Sequence, residues 1–220
     1  MSLPTPPSRR ELGSRHEDSF LNFACLVVVA TYLICCDLKS ISTDEGIRLW
    51  IINGGQPFDL SEPQRIGTWS DVLQTLSPYA YQPLYFLIQN TIARVAESNN
   101  VFLFRVFNIF LLWLSLRGLL QLSKGWAALP RFFLVGLFSF NAYLFMHVLQ
   151  IREYTAGVCF YVWSTQLVLQ LASRPSFCRP HDKLEYAAYG LLLTIGFYTQ
   201  SWIVFPAIGQ FLYLAAKRWR

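Results

Sequence analysis

Ser19–Cys36 reads SFLNFACLVVVATYLICC. No charged side chain interrupts it, and a helix over this stretch would be apolar on every face. A helix that is hydrophobic all round belongs in a large core or in a bilayer, because a surface helix keeps a polar side for water. Four further apolar runs follow, at Phe102–Leu122, Phe132–Leu149, Tyr154–Ala172 and Tyr186–Ala216. A chain of 220 residues has too little polar material to cover them all: hydrophobic residues make up 54% and charged residues 14%. A soluble domain carries roughly 25% charged residues. The mean hydropathy of +0.34 agrees. The expected fold is therefore all-α, a polytopic membrane helix bundle. The aromatic content of 16% fits, since Trp and Tyr rings settle at the headgroup level. The formal net charge of +5 gives no reason to expect a nucleic-acid partner; in such a chain the side on which Lys and Arg fall carries the information.

A spanning helix needs about 20 mostly apolar residues. The segment 1–18 is rich in Pro and charge and is expected to be a disordered cytoplasmic N-terminus, with a membrane module over 19–220. The last apolar run is too long for one span, and its polar centre Tyr198-Thr199-Gln200-Ser201 predicts two helices joined by a tight turn. Lys and Arg are retained on the cytoplasmic side. Four clusters stand out: Arg9/Arg10/Arg15, Arg117/Lys124/Arg131, Arg174/Arg179/Lys183 and Lys217/Arg218/Arg220. Placing all four inside allows one crossing between the loop 37–101 and Arg117. Tyr81–Ala96 then becomes an interfacial helix on the outer face. This layout gives six spans with both termini cytoplasmic. The competing layout makes Tyr81–Ala96 a seventh span.

Cys25, Cys35, Cys36, Cys159 and Cys178 show neither metal-ligand spacing nor a disulfide framework, and most sit in apolar runs as small hydrophobes. The first apolar run lacks a small-residue cleavage site and reads as a retained anchor. No phosphate-binding glycine loop, nucleophile elbow or zinc-binding helix motif occurs.

With the outer loop on one side, four polar sites share that side: Asp44/Glu45, the Gln82-Pro83 segment with Arg105, the turn Gln150–Glu153, and the turn Tyr198–Ser201. Each has two readings. Ser42 and Thr43 before two acids look like a helix N-terminus, where acids complement the helix dipole; alternatively, a carboxylate there is a general base for an acceptor hydroxyl. The proline of Tyr81-Gln82-Pro83 sits where a first-turn proline is tolerated. Arg105 and Arg152 either snorkel to the interface or grip a phosphate with their planar forks. Glu153 reads as an ion-pair partner for Arg152. His147 reads as a polar residue near a helix end.

Five motifs in this order resemble the membrane-embedded C-type glycosyltransferases, in particular the protein O-mannosyltransferases and the bacterial lipid A aminoarabinose transferases. They are Thr43-Asp44-Glu45, Tyr81-Gln82-Pro83-Leu84-Tyr85, Phe104-Arg105-Val106, Gln150-Ile151-Arg152-Glu153-Tyr154 and Tyr198-Thr199-Gln200. The resemblance implies an inverting transferase that takes a sugar from a polyprenyl-phosphate donor at the extracytoplasmic face of a membrane, in this reading the bacterial inner membrane. It makes Asp44 the base, with Glu45 helping to hold a divalent metal ion. Arg105 and Arg152 would steady the leaving phosphate, with Tyr81, Gln82, Tyr154 and Gln200 completing the site. The family's basic residue and first proline are here Tyr81 and Gln82, and its last-bend histidine is Gln200. The matching region corresponds to the family's N-terminal module, so a partner subunit supplying further C-terminal helices is expected. The alternative is a non-catalytic membrane subunit or a transporter-like protein. A transporter would place ionisable residues near mid-span.

Overall fold

The structure is a computed structural model that describes residues 9–38, 42–55, 66–78, 81–98, 100–173 and 180–219. Among them lie ten α-helices and no strand: α1 (Arg9–Leu38), α2 (Thr43–Ile52), α3 (Trp69–Leu76), α4 (Pro83–Ala96), α5 (Val101–Leu122), α6 (Ala128–Ser139), α7 (Ala142–Val148), α8 (Tyr154–Ala172), α9 (Pro180–Thr199) and α10 (Val204–Trp219). The expectation of an all-α fold holds. Helix α1 begins at Arg9, so the segment up to Asp18, expected in a disordered tail, is helical.

Helix α1 buries Leu21, Cys25, Val28, Tyr32 and Cys36. These are three or four residues apart and form one stripe. Its other face stays bare and is equally apolar, with Phe23 64% and Ile34 67% exposed. Helix α10 repeats this with Phe205, Ile208, Phe211 and Leu212 exposed. Contiguous apolar surface on this scale is foreign to a monomer in water and suits a lipid environment.

Two helical segments have the length and hydropathy of a membrane span, Glu17–Cys36 and Val101–Leu122, or three if the pair α6 and α7, bent by 60°, counts as one. That is fewer than the six or seven expected. The physical reason is visible in the remaining helices. Helix α8 carries Gln166 and Gln170, α9 opens on the charged run Pro180-His181-Asp182-Lys183, and α10 has only 16 residues. Helix α4 has 14 residues, or about 21 Å at the α-helical rise. That is short of a hydrocarbon core of about 30 Å, so the seventh span is not formed.

Helix α5 is the axis of the bundle, packed between α1 and α8. Gly118 permits the close approach of α8: a Cβ there would lie 2.5 Å from Val162 Cγ1. Helices α1 and α5 run antiparallel. At one end the Arg105 guanidinium donates to the Cys36 carbonyl, and at the other Arg117 donates to Asn22 and Arg131 pairs with Asp18. The residues Arg117, Lys124 and Arg131 thus gather at the end of the bundle opposite Glu45 and Arg105. The run Phe132–Leu149 breaks into α6 and α7 because the Asn141 side chain caps the backbone N–H groups of Tyr143 and Leu144. The two-helix reading of the last run is correct, with the break at Gln200 and a 3₁₀ turn over Ser201–Ile203.

Short helices α2, α3 and α4 form a layer at the Glu45 end. Ser42 and Glu45 make a reciprocal capping box at α2, and Thr68 and Asp71 make another at α3. Pro83 occupies the first turn of α4, as the sequence suggests. Asn90 ties the layer together, its amide donating to the carbonyls of Ile52 at 2.8 Å and Gly67 at 3.0 Å.

Candidate functional site

The turn between α7 and α8 is the point on which the candidate residues converge. Gln150–Glu153 cannot continue either helix, and its carbonyls need donors that an apolar bundle lacks. Asn108, in the middle of the apolar helix α5, supplies them: its amide donates to the Gln150 carbonyl at 2.5 Å and to that of Arg152 at 3.4 Å. The Asn108 oxygen accepts from the Tyr85 hydroxyl at 3.1 Å, and Gln89 donates to that hydroxyl at 3.0 Å. The three polar side chains are tied into one buried chain from α4 through α5 to the turn. Burial pushes the Tyr85 hydroxyl well above its ordinary value, partly opposed by its bonds to Gln89 and Asn108.

Glu45 is fully buried. Its Oε1 accepts from Arg105 Nε at 3.2 Å, Arg105 Nη2 at 3.1 Å and the Ile151 backbone N–H at 3.2 Å. Its Oε2 accepts from the Ser42 N–H at 3.1 Å, the Ser42 hydroxyl at 3.3 Å and Arg105 Nη2 at 3.2 Å. An ionised carboxylate has about four lone-pair sites, and these are consumed. Glu45 is therefore not placed to act as a catalytic acid or base or to hold a metal ion. It locks α2, α5 and the α7–α8 turn together. Among the described residues, no group of three or more His, Cys, Asp or Glu side chains gathers as metal ligands. Arg105, expected to grip phosphate, is buried and spent on Glu45 and the Cys36 carbonyl, at 2.7 Å for the latter.

A second buried pair lies beside the first. Arg48 Nε stands 3.5 Å from Glu153 Oε2, with the guanidinium 5.5 Å from the centre of the Tyr81 ring. Glu153 is thus the partner of Arg48, where the sequence suggested Arg152. Tyr81 serves this pair as a cation–π face. Arg48, Tyr85, Gln89 and Asn108 were missed in the sequence. Their one available signal was spacing: Glu45 and Arg48 are three apart on α2, as are Arg105 and Asn108 on α5, so each pair shares a helix face.

Arg152 is partly exposed at this end. Residue Asp44 lies in the first turn of α2, next to Glu45; its side chain is outside the described residues, as are Arg174, Arg179 and Cys178. Gln82 holds the N-cap position of α4 without a side-chain cap bond. Tyr154 and Gln200 come together: both line a groove of about 190 Å³ with Tyr143, Tyr161, Trp202 and Pro206. Its walls are almost wholly aromatic and aliphatic. His147 is buried between Tyr143 and Tyr154, with ring centroids 4.1 and 4.5 Å away. The cysteines Cys25, Cys35, Cys36 and Cys159 form no disulfide.

The residues of the expected site therefore share one end of the bundle, but they divide by role. Glu45 and Arg105 hold the architecture, while Tyr154 and Gln200 border an apolar groove. No protein-family model, curated protein or solved structure matches this chain.

Proposed function

We propose that this chain is a membrane-embedded transferase module that takes a sugar from a polyprenyl-phosphate donor at the bundle end carrying Asp44 and Arg152. In this reading α1, α5, the bent pair α6–α7, α8, α9 and α10 together with the 3₁₀ turn that leads into it make six crossings. Helix α4 lies on the outer interface, and the end with Arg117, Lys124 and Arg131 faces the cytoplasm. The observation that carries the reading is an apolar aromatic groove opening beside a polar, charge-lined turn: Tyr154 in the groove wall is two residues from Arg152. A polyprenyl phosphate has that same division, with a greasy chain and an anionic head.

The roles follow from the chemistry of each side chain. The acceptor hydroxyl gives its proton to the Asp44 carboxylate as its oxygen bonds to the anomeric carbon. The bond from that carbon to the phosphate oxygen breaks, and its electron pair leaves with the polyprenyl phosphate. The charge that develops there needs a cation, and Arg152 takes this part. Arg105 and Glu45 are positioning residues that hold α2 against the α7–α8 turn. Tyr154, Gln200 and Trp202 receive the lipid chain.

Transfer of radiolabelled sugar from a polyprenyl-phosphate donor by the chain in proteoliposomes tests this. Asp44→Asn is expected to lower the rate by about 10²-fold or more, the range a general base contributes, with insertion unchanged. Transfer undiminished by that substitution removes Asp44 from the reaction.

A second reading, a non-catalytic membrane subunit that docks against a partner supplying further helices, is favoured by one observation. Both buried ion pairs, Glu45–Arg105 and Arg48–Glu153, are satisfied within the chain, as in a purely structural polar layer.

A further inference from the structure

At the opposite end of the bundle a second pocket of about 200 Å³ is lined by Asp18, Asn22, Arg117, Leu120, Gln121, Lys124 and Arg131. Three cations face one carboxylate. Arg131 is 8% exposed. Its Nη1 pairs with Asp18 at 3.0 Å and its Nη2 donates to the Leu120 carbonyl at 3.3 Å, while its Nε is buried with no acceptor. A buried donor left in this state costs free energy that an anionic oxygen would recover. Arg117 donates to Asn22. Lys124, in the turn after α5, is exposed and has no ion-pair partner among the described residues. We infer that this pocket binds a phosphate group, and that the group belongs to an anionic phospholipid.

The surroundings argue for a lipid over a free anion. Phe20 on α1 and Phe132 on α6 pack in a tilted pair beside the pocket residues at 5.7 Å between ring centroids, and both are exposed. Trp126, Leu129 and Phe133 extend this bare apolar surface along the loop and first turns of α6. A headgroup seated among Arg117, Lys124 and Arg131 would lay its acyl chains on that surface. Basic side chains at a membrane interface draw anionic headgroups; here a formed cavity and a vacant guanidinium donor add direction to that attraction. The inference is independent of the transferase reading, which concerns the other end of the molecule.

The full chain, purified in detergent, is titrated with phosphatidylglycerol and with phosphatidylcholine, bound lipid being counted by native mass spectrometry. A parallel arm measures thermal stabilisation by inorganic phosphate. The expected result is retention of phosphatidylglycerol over phosphatidylcholine, falling about tenfold in Lys124→Glu and comparably in Arg117→Gln, with Lys183→Glu, an exposed charge reversal elsewhere, unchanged. Stabilisation by inorganic phosphate that is lost in the same two variants would keep the phosphate site and make its source a free anion. Two results overturn the inference: equal retention of both lipids with no phosphate effect, or a preference that Lys124→Glu leaves intact or that Lys183→Glu abolishes equally. Arg131 is left unaltered because its bonds to Asp18 and Leu120 also hold α6, and Lys124→Glu, which breaks no bond within the chain, keeps the test open if Arg117→Gln fails to fold.

Discussion

Glu45 shows how a single carboxylate can lose a chemical role to a structural one. A bare Asp-Glu pair near a membrane surface invites a catalytic reading, yet the second acid closes a capping box and is clasped by Arg105 and by the backbone of Ile151. Removing one partner of a buried pair leaves an uncompensated charge and costs about 3–5 kcal/mol. Arg105→Gln and Glu45→Gln are each expected to lower the unfolding temperature in detergent sharply. The double variant is expected to fall well short of their sum, and strict additivity would show that the pair is not coupled. Asn108→Leu removes the donor for two turn carbonyls and the acceptor for Tyr85, a loss of about 1–3 kcal/mol, read by the same thermal unfolding. Tyr85 carries a pH signature. Its folded value is raised by burial, so the neutral form belongs to the folded state, and the associated stability is complete below the unfolded value near pH 10. It declines as pH rises above that, and Tyr85→Phe should flatten this alkaline loss in a pH series of unfolding temperatures.

At the scale of elements, two positions decide how helices meet. Gly118 lets α5 and α8 touch, and Gly118→Ala would set a methyl 2.5 Å from Val162; overpacking of this kind typically costs about 1–3 kcal/mol. Asn141 ends one helix and starts the next, and Asn141→Ala forfeits a cap of about 1 kcal/mol, with greater protease sensitivity near Phe140 as its visible consequence. The apolar run Phe132–Leu149 is bent by 60° at this residue. Hydropathy averaged over the run is blind to a side chain that competes for the backbone. The Pro83 start of α4, the break near Gln200 and the capping box at α2 were legible because proline, a polar tetrad and an acid three residues after a serine act locally.

For the whole molecule the two ends carry different chemistry, and their separation is open to direct test. On a cysteine-free background, Ser70→Cys and Trp202→Cys are expected to react with an impermeant maleimide from one side of the membrane and Lys124→Cys from the other; labelling of all three from one side would undo the six-span layout. Composition and apolar run length alone determined that the chain is all-α with helices apolar enough to cross a membrane, because the cost of wetting so much hydrocarbon does not depend on how the helices are arranged. They also led to the expectation that Asp44, Arg105, Arg152 and Gln200 share one side, through the alternation of apolar runs and polar turns. Only the tertiary structure decided which opposite charges these groups meet. Whether Arg105 meets a ligand or Glu45, and whether Glu153 meets Arg152 or Arg48, depends on distances between segments 60 and 105 residues apart in the chain, and a charge buried in a bundle is satisfied by whichever opposite charge packing brings within reach.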